Sequence, residues 1–566
     1  METCMGKWLF TDKNGKPVMP VGLQAHNSST GSALIQKSLR ALELFGGNTL
    51  EAPVYWNQIE KTEGTYDCTL VRNLIDEVRE AGKYLVILWF GMSKNGHPNY
   101  VPEYVKLHPE IYHIAKGHDL APVASLSPHC GATRDRDCAA FAEMMRFLKE
   151  YDQEEKTVLA VQIENEMGYA NTDRDYSEEA EADYQKEVPQ ELEGCTIPGA
   201  FDDLRDKTQG EEKRKGEREE KQSESLTEEK RQNGKQPENQ QISAWKKQFG
   251  RYSHEAFSAW YTARYIETLA KAGKEIYPLP LYTNVMVGES GFEEAGLCYN
   301  AGAGVSRVLD IWKKAAPDLD VIAPDIYNPA RRDYCRICDS YARPDNPLFV
   351  PESPIRGQAN AMNMILAAGE YGAEGIACFG AEEALNENGE LNPESEDTAL
   401  SMRILAKAAP LLIRYRGTGR IHAFAQEEFE EYRYLKLPEY HVTMWYTNCH
   451  AQRYGYSTDT FSEAGRKKVM ARGRAILVQT APEEFYLCGA GAMAEFVRRP
   501  SPESENSYAQ MASRQSSQLN FLSVEEGHFE EDHWVCDFIR NGDETNFAQY
   551  VLDGQMIRIR LNPKVE

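Results

Sequence analysis

VLAVQIENEMGYA occupies residues 158–170. Its first half, Val158 to Ile163, is almost wholly apolar, as a strand covered on both faces would be. Its second half sets Glu164, Asn165 and Glu166 where that strand should stop. An unpaired buried charge is costly. The cluster is therefore either solvated in a loop or held in a site that uses it.

Seven further runs share this texture, at residues 19–26 (MPVGLQAH), 47–54 (GNTLEAPV), 84–91 (YLVILWFG), 279–286 (LPLYTNVM), 319–327 (LDVIAPDIY), 346–353 (NPLFVPES) and 374–380 (EGIACFG). Amphipathic stretches lie between them, such as SALIQKSLRALELFG, TLVRNLIDEVREAGK and AFAEMMRFLKEYD, with apolar residues recurring at three and four. Strand–helix alternation predicts a parallel sheet with helices outside. Eight repeats predict an α/β fold, a closed (β/α)8 TIM barrel, over residues 1–405. A doubly wound open sheet would carry a Gly-rich phosphate loop after its first strand. Here the first strand runs into HNSST.

The chain of 566 residues exceeds one ordinary core. After about residue 405 the runs shorten and alternate, as in EYRYLKL, HVTMWYT, RAILVQT, EEFYLCG and MIRIRLNP. This predicts a C-terminal β-sandwich-like domain over 406–566. Residues 202–241 interrupt the barrel pattern. Leu204 and Leu226 are the large apolar residues among many charges there, so the segment reads as a solvated surface insertion after the fourth strand.

A net charge of −25 and a pI near 5.1 argue against nucleic acid or an anionic membrane as the main partner. No run approaches eighteen apolar residues, and the N-terminal stretch has no basic start followed by an apolar core. The twelve cysteines are scattered, and Cys335 and Cys338 form a CxxC with no second pair, so they read as free thiols on a helix. A cytoplasmic protein with reduced thiols is the expectation. A homo-oligomer is compatible with the sequence.

Barrel chemistry sits at the C-terminal ends of strands. Glu164 and Glu166 hold that position on the fourth strand, and both would face the mouth if the strand continued to alternate. Glu352 closes the seventh strand in PLFVPESP, between Pro351 and Pro354, which restrict the backbone around it. Strands four and seven face each other across an eight-stranded barrel. Two carboxyls so placed can flank one glycosidic bond, one as acid and one as nucleophile. Retention of configuration implies a gap of about 5 Å, and inversion one of about 8 Å.

These residues resemble glycoside hydrolases of clan A, nearest to β-galactosidase families 35 and 42. VQIENEMG is similar to the acid/base motif of family 35, and NTLEAPVYWNQIEKTEGTYD to its second-strand region. GLQAHNSS, VEEGHFEEDHWV and RNGDET resemble a bacterial subgroup with a β-rich C-terminal domain of uncharacterised role. The resemblance implies that Glu166 is the acid/base and Glu352 the nucleophile. It implies that Asn165 contacts the sugar 2-hydroxyl and that Tyr327 stands near the nucleophile. Trp89 and His26 are candidate pocket residues, Asn284 a candidate rim residue, and Glu164 a group that pairs with an arginine or tunes its neighbour. Pro53 and LWFG stand where family 35 carries a Tyr and a Glu-Trp pair that hold galactose. Glucosides, xylosides or arabinosides are thus alternatives to galactosides. Transfer to a second sugar and non-catalytic sugar binding are the alternatives to hydrolysis. An oligosaccharide or small glycoside is the expected substrate, and two carboxyls suffice without metal or organic cofactor.

Overall fold

A computed structural model describes residues 8–198, 242–287, 294–449, 463–499, 521–541 and 548–563. The charged insertion at 202–241 lies outside the described residues. Eight parallel strands form one sheet: β1 (Val21–Gln24), β2 (Thr49–Tyr55), β3 (Tyr84–Lys94), β4 (Val158–Asn165), β5 (Leu281–Met286), β6 (Val321–Asp325), β7 (Phe349–Val350) and β8 (Gly375–Phe379). Their order is β6-β5-β4-β3-β2-β1-β8-β7, the sequential order of a barrel. Residues of β1, β2, β4 and β6 are buried throughout, because helices cover the outer face and side chains fill the inner one. Helices Ser32–Leu44, Thr69–Glu80 and Gly131–Asp152 follow the expected amphipathic runs.

The seam lies between β6 and β7. Prolines at 347 and 351 bracket β7 and supply no N–H, so it is only two residues long. Side-chain bonds replace the ladder. Asn346 accepts from Ile322 N–H at 2.9 Å and donates to Ile322 C=O at 3.0 Å. Beyond them, Ile326 N–H donates to the carbonyl of Glu352 at 2.9 Å. The backbone of Glu352 is thereby part of the closure.

The β-rich region is a sandwich of two antiparallel sheets. One has six strands, in the order Ile421–Ala425, Arg474–Ala481, Glu484–Ala490, Gln555–Leu561, Phe521–Glu530 and His533–Ile539. The other has four, in the order Tyr432–Lys436, Tyr440–Tyr446, Ala492–Arg498 and Gln549–Val551. Val442, Met444 and Phe496 of the smaller sheet share a core with Leu477, Phe485, Leu487 and Ile557 of the larger. The larger sheet's other face packs Ile476, Val478 and Cys488 into the barrel core, against helices Gln358–Gly369 and Glu396–Tyr415. Cys335 and Cys338 sit on helix Arg331–Tyr341 as free thiols. No helix among the described residues is long and apolar enough to cross a membrane.

Candidate active site

The stretch at the end of β4 does not continue as a strand. Glu164 (φ 58°) and Glu166 (φ 43°) both adopt left-handed backbone. Such conformations cost on the order of 1–3 kcal/mol each and persist where the surroundings enforce them. The turn breaks the alternation expected for Glu164 and Glu166, and the two side chains part.

Glu164 points away from the mouth. Its carboxyl accepts from the backbone N–H of Met92 (3.0 Å) and Ser93 (2.7 Å) and bonds to Asp137, of helix Gly131–Asp152. Its pairing group is therefore a second acid rather than an arginine. Asp137 also accepts from Trp89 Nε1 (2.9 Å) and Tyr265 Oη (2.8 Å). Burial, then the charge of Asp137, holds the Glu164 pKa well above the carboxylate range; burial likewise raises Asp137. Two carboxyls bond to each other only when one carries a proton, and Glu164 accepts from fewer donors than Asp137. Gly91 lies against this pair. A Cβ there would fall 2.5 Å from both Asp137 Oδ1 and Glu164 Oε1. Trp89 is fully buried beside it and does not line the cavity described next.

Glu166 turns the other way, into a cavity of about 450 Å³ at the mouth that also receives Lys94, Asp325, Tyr327 and Glu352. Its N–H donates to Asn284 Oδ1 at 3.0 Å, and its carbonyl accepts from Asn300 Nδ2 at 2.7 Å. Burial, then the charge of Glu352, pushes its pKa up to about 7, with Lys94 opposing. Glu352 is 4% exposed and accepts three hydrogen bonds, from Gln24 Nε2 (2.9 Å), Asn284 Nδ2 (3.2 Å) and Tyr327 Oη (2.8 Å). Oxygens of Glu166, Asp325 and Glu352 all lie within 4.8 Å of one another.

Asn284 is the hub of the site rather than a rim residue. Its amide also donates to Asn165 Oδ1 (3.2 Å) and Asp325 Oδ2 (2.8 Å). Asn165 is buried and donates to Asn95 Oδ1 at 3.0 Å. His26 stands behind the cavity wall, bonded to Glu383 at 2.8 Å and edge-on to Phe379 at 5.0 Å. Its neighbour Asn27 lines the cavity instead, with its carbonyl held by Tyr55 and Tyr100.

Gln24, Lys94, Asn95 and Asp325 escaped the reading of the sequence; the last three line the cavity and Gln24 bonds to Glu352. Gln24 and Asp325 end β1 and β6, so the strand-end rule that found Glu352 applies to both. Lys94 and Asn95 could not be found that way, because β3 runs three residues past the Gly91 where its apolar run stops. Glu166, Asp325 and Glu352 are near enough to hold a cation. Glu352 already accepts three hydrogen bonds, and Lys94 sets a positive charge beside the other two. The donor set fits protons and a polar ligand better than a metal.

Part of the chain matches two family models. Residues 28–194, which include Glu166, match the glycoside hydrolase family 42 model described as "Beta-galactosidase". The match is thus to family 42 and not to family 35, whose motifs the strand-four stretch resembles. Residues 399–551 match a "Domain of unknown function (DUF5597)". A search of the curated proteins finds no match. Solved structures similar to the chain include a β-galactosidase from the psychrophilic Marinomonas ef1, with TM-score 0.47 and 14% identity over 69% of this chain and 61% of that one. Another is a β-galactosidase from Bacillus circulans sp. alkalophilus, with TM-score 0.46 and 12% identity over 69% and 56%. A third is an exo-β-1,4-mannosidase from Opitutaceae bacterium strain TAV5, with TM-score 0.41 and 14% identity over 72% and 63%. The chain spans about three-fifths of the length of these structures. The described residues form a TIM barrel followed by β sheets, and the first half of that barrel carries the family 42 β-galactosidase pattern.

Proposed function

We propose that the chain is a retaining β-glycosidase, β-galactosidase-like in substrate, with Glu166 as acid/base and Glu352 as nucleophile. One observation carries the reading: two carboxyls from opposite strands meet in one cavity with their nearest oxygens within 4.8 Å. That gap supports direct attack by Glu352 on the anomeric carbon, and so retention, over an arrangement that seats a water between the acids. In the first step Glu352 forms a bond to the anomeric carbon while Glu166 gives its proton to the departing oxygen. In the second, Glu166 takes a proton from water, which displaces Glu352 from the sugar. A pKa near 7 suits a group that must do both. The three donors on Glu352 fix its direction.

Glu166 falls inside the family 42 match, which supports a galactoside. Asn27, Asn95 and Lys94 line the cavity wall and supply polar contacts for sugar hydroxyls, while Asn165, buried behind it, holds Asn95. The test is a panel of nitrophenyl glycosides (β-galactoside, β-glucoside, β-xyloside, β-fucoside and α-L-arabinoside) with wild type and Glu352→Gln. Turnover of the β-galactoside that falls by several orders of magnitude in the variant is expected. Equal turnover in the variant would remove Glu352 from its role, and turnover of another glycoside alone would remove galactose.

A further inference from the structure

The third carboxyl of the cavity has no part in a two-carboxyl reaction. Asp325 is the last residue of β6, is 2% exposed and lines the cavity between Glu166 and Glu352. Its Oδ2 accepts from Asn284 Nδ2 at 2.8 Å, whereas among the described residues no donor reaches its buried Oδ1. Among the described residues, the side chain that bonds to the Glu166 carboxyl is that of Asp325. Two carboxyl groups cannot bond to each other unless one carries a proton. Glu352 accepts its three hydrogen bonds from Gln24, Asn284 and Tyr327.

The groups facing Asp325 decide where the proton rests. Glu166 approaches from the end of β4, Glu352 from beyond β7, Lys94 from the end of β3, Tyr282 from β5 and Tyr327 from its own loop. Two acids and one base leave Asp325 in a negative field. Burial first, then Glu352 and Glu166, raises its pKa well above the carboxylate range, with Lys94 opposing. Its hydrogen bond lowers the pKa of Glu166 in turn.

We propose that Asp325 is a neutral positioning residue, whose O–H donates to the carboxylate of Glu166 and orients it for proton transfer. This rests on the reading of Glu166 as acid/base. Asp325 keeps its proton throughout: Glu166 gives its own proton to the leaving oxygen, accepts the Asp325 hydrogen bond as a carboxylate, and regains a proton from water.

The test is the pH profile of kcat/KM for wild type, Asp325→Asn and Asp325→Ala. The amide retains a donor and an acceptor. The alkaline limb of Asp325→Asn should stay within about half a pH unit of wild type, and its kcat should fall less than that of Asp325→Ala. In Asp325→Ala the limb should rise by about one pH unit, because ionised Glu166 loses a hydrogen bond. A fall of the limb in both variants would mean that Asp325 is ionised and would overturn the proposal. An unmoved limb in both, or loss of activity on EDTA dialysis restored by Ca2+ or Mg2+, would overturn it as well. An infrared difference between wild type and Asp325→Asn decides the protonation without turnover. Loss of a protonated-acid carbonyl band is expected, and loss of a carboxylate band alone would refute the proposal. The acid/base reading fails separately, if Glu166→Ala loses as much activity on a dinitrophenyl glycoside as on an alkyl one.

Discussion

Tyr327 reaches Glu352 Oε2 at 2.8 Å from a ring that is 43% exposed. Its neighbour at the other oxygen, Gln24, is fully buried. Removing the phenol oxygen therefore leaves the fold intact and takes one donor from a charged acceptor. Such a bond is worth about 1.5–3 kcal/mol. Tyr327→Phe should lower kcat/KM by about 10- to 100-fold with an unchanged melting temperature, as paired kinetics and calorimetry would show. A loss under twofold would separate Tyr327 from the nucleophile. Legibility at this scale followed chemistry. Glu166 and Glu352 stood out because a charge at the end of an apolar run needs a reason. Asp325 obeyed the same rule, two residues before a Tyr that drew the notice. Glu164 misled, because alternation holds only while φ stays extended, and its φ is 58°.

The extension of β3 is the element that completes the site. It carries Lys94 and Asn95 to the cavity, and the Glu164–Asp137 pair pins it through the N–H groups of Met92 and Ser93. Gly91 is glycine because that pair occupies the space of a side chain. The shared proton makes the anchor sensitive to pH. Both pKa values are raised in the folded chain, so the folded state binds more protons than the unfolded. The contribution is complete below the unfolded carboxyl value near 4 and is lost as pH rises through the folded values. The stability difference between wild type and Asp137→Asn should accordingly shrink by roughly 1 kcal/mol or more from pH 5 to pH 9 in urea titrations. Parallel curves would contradict a shared proton. None of this was visible in LWFG, since the partners lie 46 and 73 residues away from Gly91.

Across the whole molecule, the sandwich and barrel share a core, and Arg474 is the polar tie within it. Its guanidinium is fully buried, pairs with Asp397, and donates to Ser401 Oγ at 2.9 Å and Asp397 C=O at 2.8 Å. Deleting one partner of a buried ion pair costs about 3 kcal/mol or more. Arg474→Ala should lower the unfolding midpoint markedly, and calorimetry should then resolve separate transitions for barrel and sandwich. A midpoint equal to wild type would show that the tie contributes nothing. The strands of the sandwich were legible from period-two alternation. Its docking was not, because Arg474 reads as a solvated charge until helix Glu396–Tyr415 is packed against it.

The central claim is that Glu352 becomes covalently bonded to sugar. The direct measurement is intact-protein and peptide mass spectrometry after exposure to the 2-deoxy-2-fluoro glycosyl fluoride of whichever sugar the panel identifies. The account predicts one added fluorosugar per chain, on the peptide containing Pro351-Glu352-Ser353, and none in Glu352→Gln. A turning-over enzyme that acquires no label, or acquires it on another residue, would contradict it.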